Sequence, residues 1–255
     1  MFTLLYHQIN DIPSSLDSLR LSVSPTQFEI EMADLKKRGF ICLPLSDIVK
    51  ARKNAQSLPK RSFAITFDDG YQDNYDIAFP ILKKYGFTAT IFLVTSLMGK
   101  TTQWEGLNTE QAFPLMKWEF AKKMCDEGFE FGSHTHTHAN LVKIDKAKIS
   151  GELELSKRII SDELGKAVEM FAFPYESTRA DLGREIEKQG YLAACGSLSL
   201  PEDRYNLWRT QCYGTDTMPL FRLKTSGIWR KLNLLRFHTQ TGKVARSIIR
   251  RFRFK

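Results

Sequence analysis

Two short stretches carry the residues that could do chemistry. Asp68 and Asp69 stand together in Thr66-Phe67-Asp68-Asp69-Gly70, and His134, His136 and His138 alternate with threonine directly after Gly132-Ser133. Two imidazoles and a carboxylate around one divalent ion, with a position left for water, make a catalytic rather than a structural metal site. His134 and His138 are four apart, so on a helical turn they would share one face and reach one ion, with His136 turned away. Adjacent carboxylates cannot both point at one place. One can ligate while its neighbour takes a proton from metal-activated water, whose pKa falls towards ~7. Asp-Gly is also a turn signal, so the acidic pair taken alone reads equally well as a simple turn.

The elements that must position these groups are legible around them. His7 follows an apolar run at 2–6, Asp68 and Asp69 follow one at 62–67, His134 follows one at 129–132, and Pro174-Tyr175 follow one at 168–173. In a parallel α/β barrel the C-terminal ends of all strands face one mouth, so groups distant in sequence converge there. Further strand candidates lie at 40–43, 88–94, 191–194 and 208–213. Helices are expected at 25–38, 75–85, from about 108 or 117 to before Gly128, and at 145–164. Gly39, Gly86, Gly128 and Gly165 stand where left-handed C-terminal caps are wanted. The alternation predicts an α/β fold with a largely parallel sheet, open or closed into a barrel. The segment 98–113 breaks the rhythm and reads as a loop across the mouth.

Composition narrows the class. The 255 residues are 42% hydrophobic and 26% charged, ordinary soluble material able to bury a full core. Cys42, Cys125, Cys195 and Cys212 form no CxxC pair, which points to reduced, mostly buried thiols. No apolar run approaches the ~20 residues of a membrane span. The N-terminus reads as a first strand rather than a signal peptide, so the expected location is cytoplasmic. The net charge of +8 is uneven: eleven Lys and Arg and no acid lie within 221–255, while the rest holds 26 bases against 29 acids. Within 243–255 Val244, Ile248, Ile249, Phe252 and Phe254 alternate with arginines. Such a tail reads either as simply solvated or as an anchor to an anionic membrane surface, which would place the protein peripherally at the inner face. No recognition motif supports nucleic acid as a partner.

Thr66–Gly70, the string Gly132-Ser133-His134-Thr135-x-x-His138-x-x-Leu141, and Phe171-Ala172-Phe173-Pro174-Tyr175 together resemble the polysaccharide deacetylases of carbohydrate esterase family 4. The resemblance covers about 1–225. It implies a single domain with a distorted (β/α)7-type barrel, followed by a basic C-terminal extension at 226–255. It also implies removal of N- or O-acetyl groups from sugars with one divalent metal, zinc foremost, cobalt or nickel as alternatives. By position Asp68 is similar to the general base, and Asp69, His134 and His138 to the metal ligands. The third motif departs from the pattern: the family often has Arg-x-Pro-Tyr there, and this chain has Ala172 at the arginine. The arginine that would orient Asp68, and its acidic partner motif with tryptophan, are both missing from their places.

The Phe-Ala-Phe-Pro-Tyr form resembles a branch that includes the exported poly-N-acetylglucosamine deacetylases. It implies that Pro174 and Tyr175 line the substrate site and that the Tyr175 backbone N–H binds the oxyanion. A Tyr-His after the first strand supplies the general acid in that branch, which favours His7 over His238. The expected partner is an acetylated sugar, oligosaccharide or lipid-linked saccharide. The rival reading is a carbohydrate-binding or assembly protein on the same fold, and within enzymes a deformylase or O-deacetylase would use the same residues. Trp104, Trp118 and Trp208 could line a sugar groove, although core packing is the commoner fate of tryptophan.

Overall fold

The computed structural model describes residues 1–103, 112–229 and 231–232, apart from Ser14, Ser18 and Ser199. Ten strands are formed: β1 (Thr3–Tyr6), β2 (Gln8–Ile9), β3 (Ser22–Val23), β4 (Ile41–Cys42), β5 (Ser62–Phe67), β6 (Thr90–Leu93), β7 (Glu130–Ser133), β8 (Met170–Ala172), β9 (Ala193–Cys195) and β10 (Thr210–Gln211). The helices are α1 (Pro25–Lys37), α2 (Leu45–Lys53), α3 (Phe79–Tyr85), α4 (Trp118–Asp126), α5 (Lys146–Leu164), α6 (Leu182–Lys188) and α7 (Met218–Lys224). The main sheet runs β10-β1-β5-β6-β7-β8-β9, with β4 beside the start of β5, and every ladder in it is parallel. Leu207 bridges to Cys195 at the end of β9, and Thr210, three residues on, pairs with Leu4 of β1. One short run therefore ties the two ends of the curled sheet, giving the distorted barrel expected from the sequence.

Side chains alternate across this sheet with the period of two that strands impose. Phe63, Ile65 and Phe67 of β5, Ile91 and Leu93 of β6, and Phe171 of β8 belong to the large core beneath the surrounding helices. Ala64, Phe92, Met170, Ala172, Ala193 and Cys195 point inward, where they pack with Leu207 and with Leu45, Ile48 and Val49 of α2. The first turn of α2 is held at the strand N-termini: Leu45 N–H donates to the Thr90 hydroxyl (3.2 Å) and Ser46 N–H to the Glu130 carboxylate (3.3 Å). Helix α2 thus closes the barrel end opposite the mouth.

The larger elements lie where their sequence patterns place them, and several short ones carry no such pattern. Helix α1 starts where Ser24 accepts from Gln27 N–H at 3.2 Å, with Pro25 preset for its first turn. Gly86 and Gly165 end α3 and α5 in left-handed conformation, as the composition of those helix ends required. The expected helix at 75–85 is two elements, a π-turn at Asn74–Ala78 running into α3. Helices α2, α6 and α7 and the β2–β3 pair were not foreseen. Cys125, Cys195 and Cys212 are buried, Cys42 is half-buried, and none forms a disulfide. Trp104 and half of the expected mouth loop lie outside the described residues, as do His238 and the basic stretch 243–255.

Candidate active site

The groups expected at the mouth are delivered by four strands of the parallel sheet. Asp68 and Asp69 leave β5, His134 leaves β7, His7 lies between β1 and β2, and Pro174 and Tyr175 follow β8. Asp69 Oδ1 stands 3.4 Å from His134 Nε2 and 3.2 Å from His138 Nε2. One ligand atom from each of the three lies within 4.8 Å of the others, and all three residues are buried. These spacings match two ligands on one tetrahedral ion with bonds of about 2.0–2.1 Å.

The donor set fits a metal on three counts. Asp69 Oδ1 is buried and has no hydrogen-bond partner. His134 Nδ1 is 2.8 Å from the Ala172 carbonyl, which can only accept, so the ring proton sits on Nδ1 and the Nε2 lone pair faces Asp69. His138 Nδ1 lies 3.2 Å from the Tyr175 phenol, leaving its Nε2 likewise turned to Asp69. Burial opposes charge on Asp69, but His134 and His138 outweigh it and hold the carboxyl well below the usual range.

The histidines do not share a helical face, as their spacing suggested. Residues 134–138 form a loop in which Thr135 and His138 adopt φ of 67° and 62°, and this double reversal brings the two rings to 5.1 Å. His136 is held apart, its Nδ1 2.8 Å from the Thr95 hydroxyl. Among the described residues, eight non-glycine positions have left-handed backbone, and five are at this mouth: Asp69, Thr135, His138, Tyr175 and Glu176. Each costs on the order of 1–3 kcal/mol and persists only where surrounding structure enforces it, which is common at functional sites.

Asp68 answers the question of the missing arginine. Arg209, directly before β10, grips it with two parallel bonds, Nη1 to Oδ1 at 2.6 Å and Nη2 to Oδ2 at 2.7 Å. The guanidinium lies inside the barrel, 5.6 Å from the Phe92 ring centre. Its Nε is buried without a partner. Burial would raise the Asp68 carboxyl, but Arg209, then His134, hold it below the ordinary value. The residue that orients Asp68 therefore comes from the opposite flank of the sheet. The arginine at 209, inside a strand candidate reading Trp208-Arg209-Thr210, was its only sequence signal.

His7 is half-buried, and its position is fixed from both sides. Asn74 Nδ2 donates to the His7 carbonyl at 2.8 Å, and Ile9 N–H donates to Asp73 Oδ1 at 3.2 Å. Gln211 Nε2 lies 3.4 Å from His7 Nδ1. Burial lowers the imidazole pKa, with Asp69 and Asp68 pulling partly back. Pro174 is buried, and the turn at Pro174–Glu176 sets Tyr175 at φ 61°, its ring edge-on to His138 at 4.7 Å and 47% exposed. The Tyr175 side chain thus supports His138, a contact the sequence did not suggest. Trp118 packs against the core, and the Trp208 indole donates to Leu200 O at 2.9 Å.

A curled parallel barrel thus presents a buried Asp-His-His group that could hold one metal ion, with an Arg-held aspartate beside it. The chain belongs to the polysaccharide deacetylase family, whose model matches residues 55–194. It is a carbohydrate deacetylase, a hydrolase of the polysaccharide deacetylase family. It is 31% identical over 208 residues to a poly-β-1,6-N-acetyl-D-glucosamine N-deacetylase of Staphylococcus epidermidis, covering 72% of this chain and 68% of that protein. A Staphylococcus aureus enzyme of the same name is 33% identical over 186 residues, 69% of this chain and 61% of the relative. In fold it is similar to the Streptococcus pyogenes deacetylase PplD in complex with acetate, with TM-score 0.76 at 22% identity over 89% of this chain and 98% of that one.

Proposed function

We propose that this protein removes N-acetyl groups from an amino-sugar polymer, with Asp69, His134 and His138 holding one divalent metal and Asp68 as general base. The observation that carries the reading is the division of labour between the two aspartates. Asp69 Oδ1 faces both histidines without a hydrogen-bond partner, whereas both oxygens of Asp68 are held by Arg209. When bound, the metal would supply Lewis acidity and a more acidic water. Zinc suits this ligand set, and cobalt or nickel would also bind.

The chain's own residues account for the rest. Asp68 takes the proton from the attacking water, and Arg209 keeps its carboxylate ionised and in one orientation. The Tyr175 backbone N–H, set by the left-handed turn, stabilises the developing oxyanion. His7 returns a proton to the departing amine, so an amide is replaced by acetate and a free amine. Tyr175 fixes the ring of His138 and, with Pro174, forms the wall against which the sugar lies. The names of the staphylococcal relatives make β-1,6-linked N-acetylglucosamine oligomers the first substrate to try. A lipid-linked form, drawn to an anionic surface by the basic tail, suits the charge distribution. Acetate release from such oligomers, abolished by chelator and restored by zinc or cobalt, is the expected result. Release indifferent to chelation would overturn the metal assignment.

A further inference from the structure

One carboxylate at the mouth takes no part in these roles. Glu176 follows Tyr175 directly, and the two hold consecutive left-handed backbone, φ 61° and 47°, which residues with side chains rarely adopt. Glu176 sits in the same turn as Tyr175 after β8, and the charges of Arg209 and Asp68 act on its carboxyl. Burial raises this carboxyl above its ordinary value, with Arg209 drawing it partly back and Asp68 adding to the rise. The carboxylate nevertheless has no hydrogen bond or ion pair with any of the described residues. Arg209, the nearest influence of opposite sign, spends its two terminal nitrogens on Asp68. A half-buried acceptor left open at a reaction centre, on backbone strained to place it there, suits a donor that arrives with the substrate.

We propose that Glu176 is a substrate-recognition residue: its carboxylate accepts a hydrogen bond from a donor on the amino-sugar chain, either a ring hydroxyl or the ammonium of a sugar already deacetylated. The proposal rests on the sugar-polymer reading above. Each turnover turns a neutral amide into an amine that takes up a proton near neutral pH, so a partly processed chain carries cations close to unprocessed units. A carboxylate distinguishes the two donors, because the ammonium adds attraction between opposite charges to a hydrogen bond that a hydroxyl can also make.

The test uses the metal-loaded full chain as wild type, E176Q and E176A. kcat and KM are measured on a fully acetylated β-1,6-linked N-acetylglucosamine oligomer and on one of equal length with a single free amine. Calorimetry adds the affinity of each protein for the fully deacetylated oligomer. If the donor is a hydroxyl, KM in E176A rises about 3- to 10-fold on both oligomers with kcat kept. If it is the ammonium, the rise is confined to the oligomer with a free amine, reaches about 10-fold or more, and is shared by E176Q. Unchanged KM on both oligomers overturns the proposal, and a fall in kcat alone would mean that Glu176 acts only through Arg209. Should the wild type release acetate from neither oligomer, the sugar-polymer reading fails and calorimetry judges Glu176 separately. Weaker binding by E176A then supports the acceptor role, whereas equal binding, or none by wild type, overturns it.

Discussion

In its proposed role as general base, Asp68 meets two demands that pull in opposite directions: it must stay ionised in a buried place, yet must not be tied down so tightly that it loses basicity. The bidentate Arg209 contact answers the first by supplying a buried counter-charge. Replacing Asp68 with Asn should lower kcat by about 10²–10⁴-fold. KM and metal content should stay near wild type; activity above a few per cent with metal retained would contradict the base assignment. Arg209→Met should cost about 3–5 kcal/mol of stability, because it strands a buried carboxylate. The double variant D68N/R209M should be less destabilised than R209M alone, and denaturant titration checks both. At this scale the sequence was informative about identity and less so about support. The acids and histidines advertise themselves by type and spacing. Arg209 does not, because what matters is that the curled sheet brings β10 beside β1 and β5, a closure written in no local motif. The Tyr175 side chain on His138 is hidden for the same reason.

At the scale of elements, the site depends on turns more than on helices or strands. The loop 134–138 was read as a helical turn because a spacing of four fits that period. Two left-handed residues give the same convergence by another route, and nothing in His-Thr-His-Thr-His distinguishes the two. Strand β5 is legible to the residue because it is largely apolar and ends at the acids. Helix α2 was missed because it is short and polar on one side, its role as a barrel plug visible only once the barrel exists. Behind β1, helix α1 buries Glu31, which accepts from Tyr6 Oη at 2.6 Å and Gln27 Nε2 at 2.9 Å. Burial pushes this carboxyl from 4.5 up to about 7 despite those bonds. A folded-state pKa raised above the unfolded one gives stability that is full below about pH 4.5 and lost as pH rises through about 7. The loss is on the order of 3 kcal/mol. The difference in stability between wild type and Glu31→Gln should therefore shift between about pH 4.5 and 7, with the variant showing the flatter profile. Parallel profiles from denaturant titration would contradict this.

Across the whole molecule, a parallel barrel plugged at one end and open at the other gathers residues from four strands into one buried cluster. Among the described residues no helix is long and apolar enough to cross a membrane. The excess positive charge belongs to the last 35 residues, 221–255. If that charge serves attachment, full-length protein should co-sediment with anionic vesicles more than a version ending at Gly242, the gap closing at high salt. Equal sedimentation would remove the anchor role. The fold class was readable from the strand–helix rhythm, while the tie between β9 and β1 through residues 207–211 was not, since its pairing is split between two partners. The most direct test of the account is the metal content of purified wild type beside Asp69→Ala, His134→Ala and Asp68→Asn, measured by elemental analysis after exposure to zinc or cobalt. About one equivalent is expected in wild type and D68N, with loss in D69A and H134A. A wild type that takes up no metal, or ligand variants that keep a full equivalent, would contradict it.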